Sequence, residues 1–241
     1  MLVTKKAPDF TAAAVLGNNQ IINDFNLYKN IGKKGAVVFF YPMDFTFVCP
    51  SEIIAFDKRY DEFKARGIEV IGVSTDNQFS HFAWKETPVS KGGIGQVRFP
   101  LVADMTKSIA RGFDVLLEDA GVALRGSFLL DKDGTVRHAV INDLPLGRNI
   151  DEMIRMVDTM LFTNEHGEVC PAGWNKGDKG MKADTAGVAD YLSHHADKRY
   201  SSNFKGELSP LLILFRLKYR KFNTKYQKLN QKISFFYYNL A

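Results

Sequence analysis

The stretch Ala36-Val37-Val38-Phe39-Phe40-Tyr41 and the later stretch Ile68-Glu69-Val70-Ile71-Gly72-Val73-Ser74 decide the fold of this chain. Neither stretch alternates between apolar and polar residues, so each predicts a strand with both faces covered. Residues 51–66 between them have apolar side chains at helical spacing, and Gly67 ends the predicted helix. Strand, helix and strand in this order predict a βαβ unit with a parallel pair of strands.

The chain up to residue 198 adds further helices and a hairpin. The turn sequence Asp131-Lys132-Asp133-Gly134 predicts a hairpin between strands at residues 126–130 and 135–141. A glycine-rich loop is expected at residues 91–96. Four more helices are predicted, at residues 81–86, at 106–111 with Thr106 as its cap, at 149–162 with Asn149 as its cap, and at 188–195. This order predicts an α/β protein with a thioredoxin-like fold, in which helices flank a central mixed sheet.

The composition and the two cysteines limit the class of protein. Hydrophobic and charged residues make up 45% and 24% of the chain, which is typical of a globular protein. No apolar stretch is long enough to span a membrane and no secretory signal is recognised, so a cytoplasmic location is expected. Two cysteines in a cytoplasmic chain indicate redox chemistry or inert thiols, not a framework of disulfides.

Cys49 points to chemistry, because it lies between the first predicted strand and the helix. A thiol at the start of a helix is stabilised as the nucleophilic thiolate by free backbone N–H groups and the helix dipole. The alternative is a small buried hydrophobe, which is the commoner environment of a free cysteine. Thr46 can offer a hydroxyl to the sulfur, and Pro42 ends the strand without a backbone donor. Both residues favour the functional interpretation.

The absence of a C-x-x-C pair argues against a disulfide reductase. Four motifs indicate a different family. They are Pro42-x-x-x-Thr46-x-x-Cys49, Leu124-Arg125-Gly126-x-Phe128-Leu129-Leu130-Asp131, Val140-Ile141-Asn142-Asp143-Leu144-Pro145-Leu146-Gly147-Arg148, and Glu168-Val169-Cys170-Pro171-Ala172-x-Trp174. In this order and spacing the chain resembles the typical two-cysteine peroxiredoxins, close to bacterial alkyl hydroperoxide reductase C subunits. The resemblance covers the chain from about Val3 to Lys198.

The resemblance implies roles for the two cysteines. Cys49 would be the peroxidatic cysteine, which attacks the O–O bond of a peroxide and becomes a sulfenic acid. Cys170 would be the resolving cysteine, which forms a disulfide with Cys49 of a partner subunit. Spacing alone leaves open whether this bond lies within or between chains, and we expect the first turn of the helix to unfold before it forms.

The resemblance also implies roles for five other residues. Pro42, Thr46 and Arg125 would complete the active site, and Glu52 and Arg148 would form a charge network that orients Arg125. Without the resemblance, Arg125 would be interpreted as a solvated charge and Glu52 as a carboxylate that favours a helix start.

Thiolate character alone does not make a fast peroxidase. A thiol with a pKa of about 6 in place of about 8.5 gains about 30-fold in thiolate fraction at pH 7 but loses about tenfold in nucleophilicity. The net gain is then about threefold. Donors that stabilise the transition state are therefore required, and the Arg125 guanidinium, the Thr46 hydroxyl and backbone N–H groups at the helix start are the candidates.

The function implied is a thiol-specific peroxidase that reduces hydrogen peroxide and organic hydroperoxides, in antioxidant defence and cell redox homeostasis. An external dithiol protein, either thioredoxin or a flavoprotein disulfide reductase, would re-reduce it. The chain would form a homodimer able to assemble into a ring of five dimers. We expect no bound cofactor and no metal, because no Cys and His residues have the spacing of a zinc site. A holdase chaperone and a peroxide sensor in the same family are the alternatives.

The C-terminal part departs from the family pattern. Residues 199–241 contain nine Lys or Arg and one acidic residue, whereas residues 1–198 contain 23 Lys or Arg and 26 Asp or Glu, a net charge of −3. Three parts are predicted: a thioredoxin-like peroxidase domain at 1–162, an arm with the resolving cysteine at 163–198, and a disordered or frameshift-derived extension at 199–241. A tail that binds nucleic acid or anionic membrane is the alternative, but a basic run alone does not favour it.

Overall fold

The computed structural model describes the backbone of residues 1–202 and the side chains of residues 1–195. The chain divides into two compact units, Met1–Gly180 and a second that begins at Met181. The structure does not describe residues 203–241, so the predictions for that part of the tail lie outside the described residues. None of the described helices is both long enough and apolar enough to cross a bilayer.

The first unit contains nine strands, six α-helices and one short 3-10 helix (Val89–Lys91) among its described residues. Its first half consists of β1 (Thr11–Val15), β2 (Ile21–Asn26), α1 (Leu27–Ile31), β3 (Gly35–Phe40), α2 (Cys49–Lys58), α3 (Tyr60–Ala65), β4 (Ile68–Ser74) and α4 (Gln78–Glu86). Its second half consists of β5 (Leu101–Ala103), α5 (Ser108–Gly112), β6 (Leu116–Leu117), β7 (Val122–Ala123), β8 (Arg125–Leu130), β9 (Val136–Asn142) and α6 (Ile150–His166). The second unit contains α7 (Thr185–Ser202), which includes the helix predicted at 188–195 and is longer at both ends.

A seven-stranded mixed sheet forms the centre of the first unit, in the order β2-β1-β5-β4-β3-β8-β9. The predicted βαβ unit is confirmed, because β3 and β4 pair in parallel from Gly35–Ile68 to Phe40–Val73. The predicted hairpin is also confirmed, since β8 and β9 pair antiparallel. The thioredoxin-like α/β architecture follows, with β3 and β4 at the middle of the sheet.

Alternation along β3 explains why both faces of the sheet are covered. Val37 and Phe39 face one apolar cluster, which includes Cys49 and side chains of α2, α4 and α6. Val38 and Phe40 face a second cluster, built with side chains of α1 and α5. Successive side chains of a strand point to opposite faces, so a strand with every position buried must have helices on both sides. The site described below lies on the Phe39 side.

The single helix predicted at residues 51–66 is wrong, because the structure forms α2 and α3 with a break at Arg59. The N–H of Arg59 donates to the carbonyl of Phe56 at 3.2 Å, a bond across three residues that tightens the last turn of α2. The start is also earlier than predicted, and Cys49 itself begins α2. The sulfur therefore lies inside the first helical turn.

The cap predicted at Thr106 is also wrong. The α5 helix begins at Ser108, and the carboxylate of Asp104 accepts hydrogen bonds from the N–H groups of Ile109 (3.1 Å) and Ala110 (2.7 Å). The Thr106 hydroxyl lies instead within 2.8 Å of the Ser108 hydroxyl. The buried Asp104 carboxylate thus satisfies two free N–H groups of the first turn, one with each oxygen.

The remaining local predictions are confirmed with shifted ends. Asn149 caps α6 by accepting a hydrogen bond from the N–H of Glu152, and the helix continues to His166. The hairpin turn closes with Gly134 at φ +76°, a conformation that glycine adopts without strain. The short helix predicted at 81–86 begins three residues earlier, at Gln78, where the side chain of Asn77 caps it.

Candidate active site

Cys49 lies at the N-terminus of α2, directly after the loop that leaves β3, and its side chain is fully buried. The helix has no side-chain cap, and Pro50 follows without an N–H group. The backbone N–H of Cys49 donates to no acceptor among the described residues. This turn therefore presents a free N–H group and the positive end of a ten-residue helix beside the sulfur.

Pro42 and Tyr41 determine where the strand before this loop ends. The N–H of Tyr41 makes the last ladder bond, to the carbonyl of Val73 at 3.1 Å. Pro42 has no N–H group and cannot continue the ladder with β4. It is buried, and the chain turns away from the sheet towards Cys49 at this residue.

The Thr46 hydroxyl contacts the sulfur directly. Its Oγ1 lies 3.0 Å from Cys49 Sγ and 2.8 Å from the carbonyl oxygen of Met43. A hydroxyl has one hydrogen, so it donates to only one of these acceptors at a time. When Cys49 is a thiol, its S–H can donate to Oγ1 while the hydroxyl donates to Met43. When Cys49 is a thiolate, the hydroxyl can turn to the sulfur.

Arg125, the first residue of β8, also contacts the sulfur. Its Nη1 donates to Cys49 Sγ at 3.3 Å and to Glu52 Oε2 at 2.7 Å, and its Nε donates to the carbonyl of Leu144 at 2.6 Å. Three acceptors thus fix a guanidinium whose side chain is almost completely buried. Its Nη2 donates to no acceptor in the part of the chain that the structure describes, so it is available to a bound molecule.

Glu52 joins Arg125 to Arg148. Its Oε1 accepts from the N–H of Arg148 and from Arg148 Nε, both at 2.8 Å, and its Oε2 accepts from Arg148 Nη2 at 2.9 Å. Burial alone would raise the pKa of Glu52, but hydrogen bonds and charge from Arg148, with the charge of Arg125, outweigh it and lower that pKa. Arg148 lies over the Phe39 ring at 5.4 Å, so the network is packed between the sheet and α2.

The charges of this cluster favour an anion at the sulfur. Two buried guanidinium groups and one carboxylate leave one positive charge without a partner in the cluster. A thiolate at Cys49 would supply the missing negative charge, at hydrogen-bond distance from Arg125. A buried charge is tolerated only when it is paired, so the arginines stabilise the thiolate and the thiolate stabilises them.

A second buried cluster, which the sequence did not predict, lies at the start of the same loop. Asp44 accepts hydrogen bonds from the Tyr41 hydroxyl at 2.9 Å and from His81 Nδ1 at 2.8 Å. The N–H of Asp44 donates to Asp76 Oδ2 at 2.9 Å, and His81 Nε2 faces the carbonyl of Val102 at 3.3 Å. The one sequence signal is a polar Asp44 inside an otherwise apolar segment.

Cys170 lies apart from the Cys49 cluster, and both cysteines are free. Its Sγ is 3.9 Å from the carbonyl of Thr159 on α6, and the residue is partly buried. Burial raises the pKa of the Cys170 thiol, the guanidinium of Arg155 opposes this rise, and Glu168 adds to it. The structure therefore brings together Cys49, Thr46, Arg125, Glu52 and Arg148, with Pro42 beside them, and leaves Cys170 elsewhere.

A cleft of about 520 Å³ lies between β1 and residues 103–109, and none of the predicted site residues lines it. No three His, Cys, Asp or Glu side chains are grouped to hold a metal ion in the described part of the chain. The chemistry that the Cys49 cluster supports is nucleophilic attack by sulfur, with donors placed around the atom that it attacks.

Comparisons with known proteins agree with this chemistry. Residues 3–139 match the AhpC/TSA family, and residues 160–194 match the C-terminal domain of 1-Cys peroxiredoxin. Alkyl hydroperoxide reductase C of Helicobacter pylori (strain ATCC 700392 / 26695) is 68% identical over 198 residues, which are 82% of this chain and 100% of that protein. The chloroplastic 2-Cys peroxiredoxin BAS1 of Hordeum vulgare is 48% identical, over 80% of this chain and 90% of its own.

Solved structures give the same result. The reduced 2-Cys peroxiredoxin of Plasmodium vivax superimposes with a TM-score of 0.77 at 48% identity, covering 80% of this chain and 99% of that chain. Oligomers occur among such proteins, since Prx1a of Plasmodium yoelii, modified at its N-terminus, forms an artifactual octamer. The resemblance noted in the sequence is confirmed, and the chain belongs to the AhpC/TSA family as a peroxiredoxin, a peroxidase of antioxidant defence.

Proposed function

We propose that Cys49 is the peroxidatic cysteine and that the chain reduces hydrogen peroxide and organic hydroperoxides. The observation that supports this most directly is the pair of donors on one buried sulfur, Thr46 Oγ1 at 3.0 Å and Arg125 Nη1 at 3.3 Å. Both donors would hold the oxygen that the thiolate attacks, and Arg125 Nη2 would hold the oxygen that leaves. Preorganised donors of this kind stabilise the charge that develops in a transition state.

The first step transfers one peroxide oxygen to sulfur. The Cys49 thiolate attacks one oxygen, the O–O bond breaks, and the other oxygen leaves as hydroxide or alkoxide and takes up a proton. The products are a Cys49 sulfenic acid and water or an alcohol, so the sulfur loses two electrons and the peroxide gains them. Arg125 stays charged throughout, because its guanidinium is not deprotonated in proteins.

The second step joins Cys49 to Cys170. The Cys170 thiolate attacks the sulfenic sulfur, an S–S bond forms, and hydroxide leaves and becomes water. Two sulfurs in a disulfide are about 2.05 Å apart, whereas the Cys49 side chain is fully buried. The first turn of α2 must therefore open before this step, as the sequence predicts. A dithiol protein, thioredoxin or a flavoprotein disulfide reductase, then reduces the disulfide.

We place the disulfide between two chains of a homodimer that can form a ring of five dimers. Support comes from β9, which pairs with β8 on one side and with no strand on the other among the described residues. Thr4 and Lys5 bond to the backbone of Val136 at the start of β9, but the side chain of Ile141 near its end is 46% exposed. A second copy can add its own β9 along the edge beyond Val136. Sedimentation of the reduced chain at several concentrations tests this, and a monomer at all of them contradicts it. A cytoplasmic location stays a prediction from the sequence.

Peroxide consumption tests the proposed function. The wild type, Cys49→Ser and Cys170→Ser are each supplied with hydrogen peroxide or an organic hydroperoxide and with each candidate reductant in turn. We expect Cys49→Ser to lose all activity and Cys170→Ser to lose turnover while still forming the sulfenic acid. Activity that survives Cys49→Ser refutes the role of Cys49, and disulfide-linked dimers that still form after peroxide treatment of Cys170→Ser refute the role of Cys170.

A further inference from the structure

The segment that contains Cys170 has no helix or strand to position it. Residues 168–180 are held by turns and side chains, such as the bond from the Trp174 N–H to the carbonyl of Pro171 at 3.1 Å. The Trp174 side chain is 2% exposed and lies 4.8 Å from the Phe162 ring of α6. Contacts with α6 therefore decide where the Cys170 sulfur is located.

Arg155 makes a polar contact between α6 and the segment that contains Cys170. Its Nη1 donates to the carbonyl oxygen of Trp174 at 2.7 Å. Glu152, one turn earlier on α6, fixes the guanidinium through bonds from Nε (2.6 Å) and Nη2 (2.7 Å). Thr159, whose carbonyl is the nearest polar partner of Cys170, lies four residues after Arg155 and therefore on the same face of α6.

The charge of Arg155 acts on the same thiol. Two influences disfavour the Cys170 thiolate, namely burial and the negative charge of Glu168. The guanidinium of Arg155 opposes both, and the interaction is mutual, since Cys170 in turn favours the charged form of Arg155. The nucleophile of a disulfide-forming step is the thiolate, so this charge affects the reacting form.

We propose that Arg155 is a positioning residue for the resolving step: it holds the Cys170–Trp174 segment on α6 and stabilises the thiolate that attacks the Cys49 sulfenic acid. This inference rests on the proposed function. Arg155 is not consumed, and the balance of the step is unchanged: the S–S bond forms, the S–O bond breaks, and hydroxide leaves as water.

The magnitude follows from charge and from attachment. Without the Arg155 charge a smaller fraction of Cys170 is thiolate, and the greater nucleophilicity of the more basic thiolate offsets only part of this loss, because the Brønsted slope is about 0.4–0.5. Loss of the bond to the Trp174 carbonyl adds to this, because the sulfur then samples more positions. We expect Arg155→Gln to slow disulfide formation at least threefold and Arg155→Lys to recover part of the rate.

The test separates the two steps in the full chain. Wild type, Arg155→Gln and Arg155→Lys are mixed with one equivalent of hydrogen peroxide, and Cys49 oxidation and the disulfide are each followed in time. Arg59→Gln is the matched control, since Arg59 pairs with Glu62 at the same i,i+3 spacing. The rate of Cys49 oxidation should stay within twofold of the wild-type rate in all three variants, which shows that the fold is intact. Only the two Arg155 variants should form the disulfide slowly.

A second measurement distinguishes charge from mere attachment. In the Cys49→Ser background, the rate of Cys170 alkylation is measured against pH. Arg155→Gln should shift this profile to higher pH, and Arg155→Lys should restore it. Unaltered disulfide formation in Arg155→Gln, or an alkylation profile that does not move, overturns the proposal alone. A wild type that forms no Cys49–Cys170 disulfide overturns the proposed function instead.

Discussion

Replacement of Glu52 by glutamine is the perturbation that best tests how the active site is held. Glu52 receives four N–H donors on its two carboxylate oxygens, three from Arg148 and one from Arg125. Glutamine has nearly the same shape, but its amide replaces one oxygen by an NH₂ donor. Each oxygen of Glu52 accepts two hydrogen bonds from the arginines. In either orientation of the glutamine amide, its NH₂ group therefore faces two N–H donors.

The cost for stability is large because the site is buried. Glu52 is 3% exposed, and the substitution leaves two guanidinium groups without their common counterion. Removal of one partner from a buried ion pair costs about 3–5 kcal/mol. The total free energy of unfolding of a domain is about 5–15 kcal/mol, so a folded but much less stable protein is expected.

The cost for activity is smaller than that of removing Arg125 itself. Loss of one preorganised donor to a developing charge typically costs about 10²–10³-fold in rate. In Glu52→Gln the guanidinium of Arg125 is still held by the carbonyl of Leu144 at 2.6 Å and keeps its charge. We therefore expect the rate constant for Cys49 oxidation by hydrogen peroxide to fall about tenfold, well short of the loss in an Arg125→Met variant.

Glu69→Gln is the matched control. Glu69 also joins two cations, Lys34 at 2.6 Å and Lys64 at 2.7 Å, but both lysines are well exposed. An ion pair of this kind contributes about 0–1 kcal/mol. Urea unfolding of the reduced chains and stopped-flow oxidation should show a small loss of stability for Glu69→Gln and no change in rate, whereas Glu52→Gln should change both.

The pH dependence provides an independent check with a definite sign. The native pKa of Glu52 is below its ordinary value of 4.5, so the native state stabilises the carboxylate. The contribution is complete above that ordinary pKa and is lost as the pH falls through the lowered native pKa. The stability difference between wild type and Glu52→Gln should therefore be constant near neutral pH and shrink in acid. A loss below 1 kcal/mol, or an oxidation rate within twofold of wild type, refutes the network as the support of Arg125.

Three further substitutions test single contacts. Thr46→Val should slow Cys49 oxidation about 10²–10³-fold by stopped flow, and Thr46→Ser should restore most of the rate, because serine keeps the hydroxyl that contacts the sulfur and valine lacks it. His81→Phe should cost about 1–3 kcal/mol in urea unfolding, because it removes a hydrogen-bond partner from the buried carboxylate of Asp44; an unchanged midpoint contradicts that contact. Burial lowers the pKa of Lys85 from 10.5 to about 8, so the native state loses this proton at a lower pH than the unfolded state does. Unfolding between pH 8 and 10 should therefore show wild type gaining stability relative to Lys85→Met.

The part of the fold that the sequence predicts is the part that local patterns determine. β3 and β4 are continuous apolar runs, and their parallel pairing follows from the helix between them. The break at Arg59 is not visible in the pattern, because apolar spacing continues from Phe56 to Phe63 and both side chains are buried. Residues 11–31 form β1, β2 and α1 without a prediction, since their short segments acquire a buried face only when the sheet forms around them.

The site divides in the same way. Thr46, Cys49 and Glu52 follow one another at intervals of three residues in one short stretch, so their spacing alone places them close together. The cluster of Asp44 and His81 joins residues 37 positions apart, and no periodicity in either segment indicates the contact. Long-range polar contacts of this kind depend on the packing of α4 against the sheet, which the sequence pattern does not specify.

In the proposed cycle the same turn of α2 is ordered for the first step and opens for the second, and the contacts indicate where this opening would stop. The backbone hydrogen bonds at the start of α2 are local. The helix lacks a side-chain cap, Pro50 has no N–H, the N–H and hydroxyl of Ser51 donate to the carbonyl of Val48 at 3.1 and 2.6 Å, and the N–H of Glu52 reaches that carbonyl only at 3.4 Å. The side chain of Glu52, by contrast, has four donors. An opening limited to residues 48–51 exposes the sulfur and leaves the arginines paired, whereas an opening that includes Glu52 costs about 3–5 kcal/mol more. In the proposed cycle Glu52 would therefore both orient Arg125 for the peroxide and limit how far α2 unwinds for Cys170.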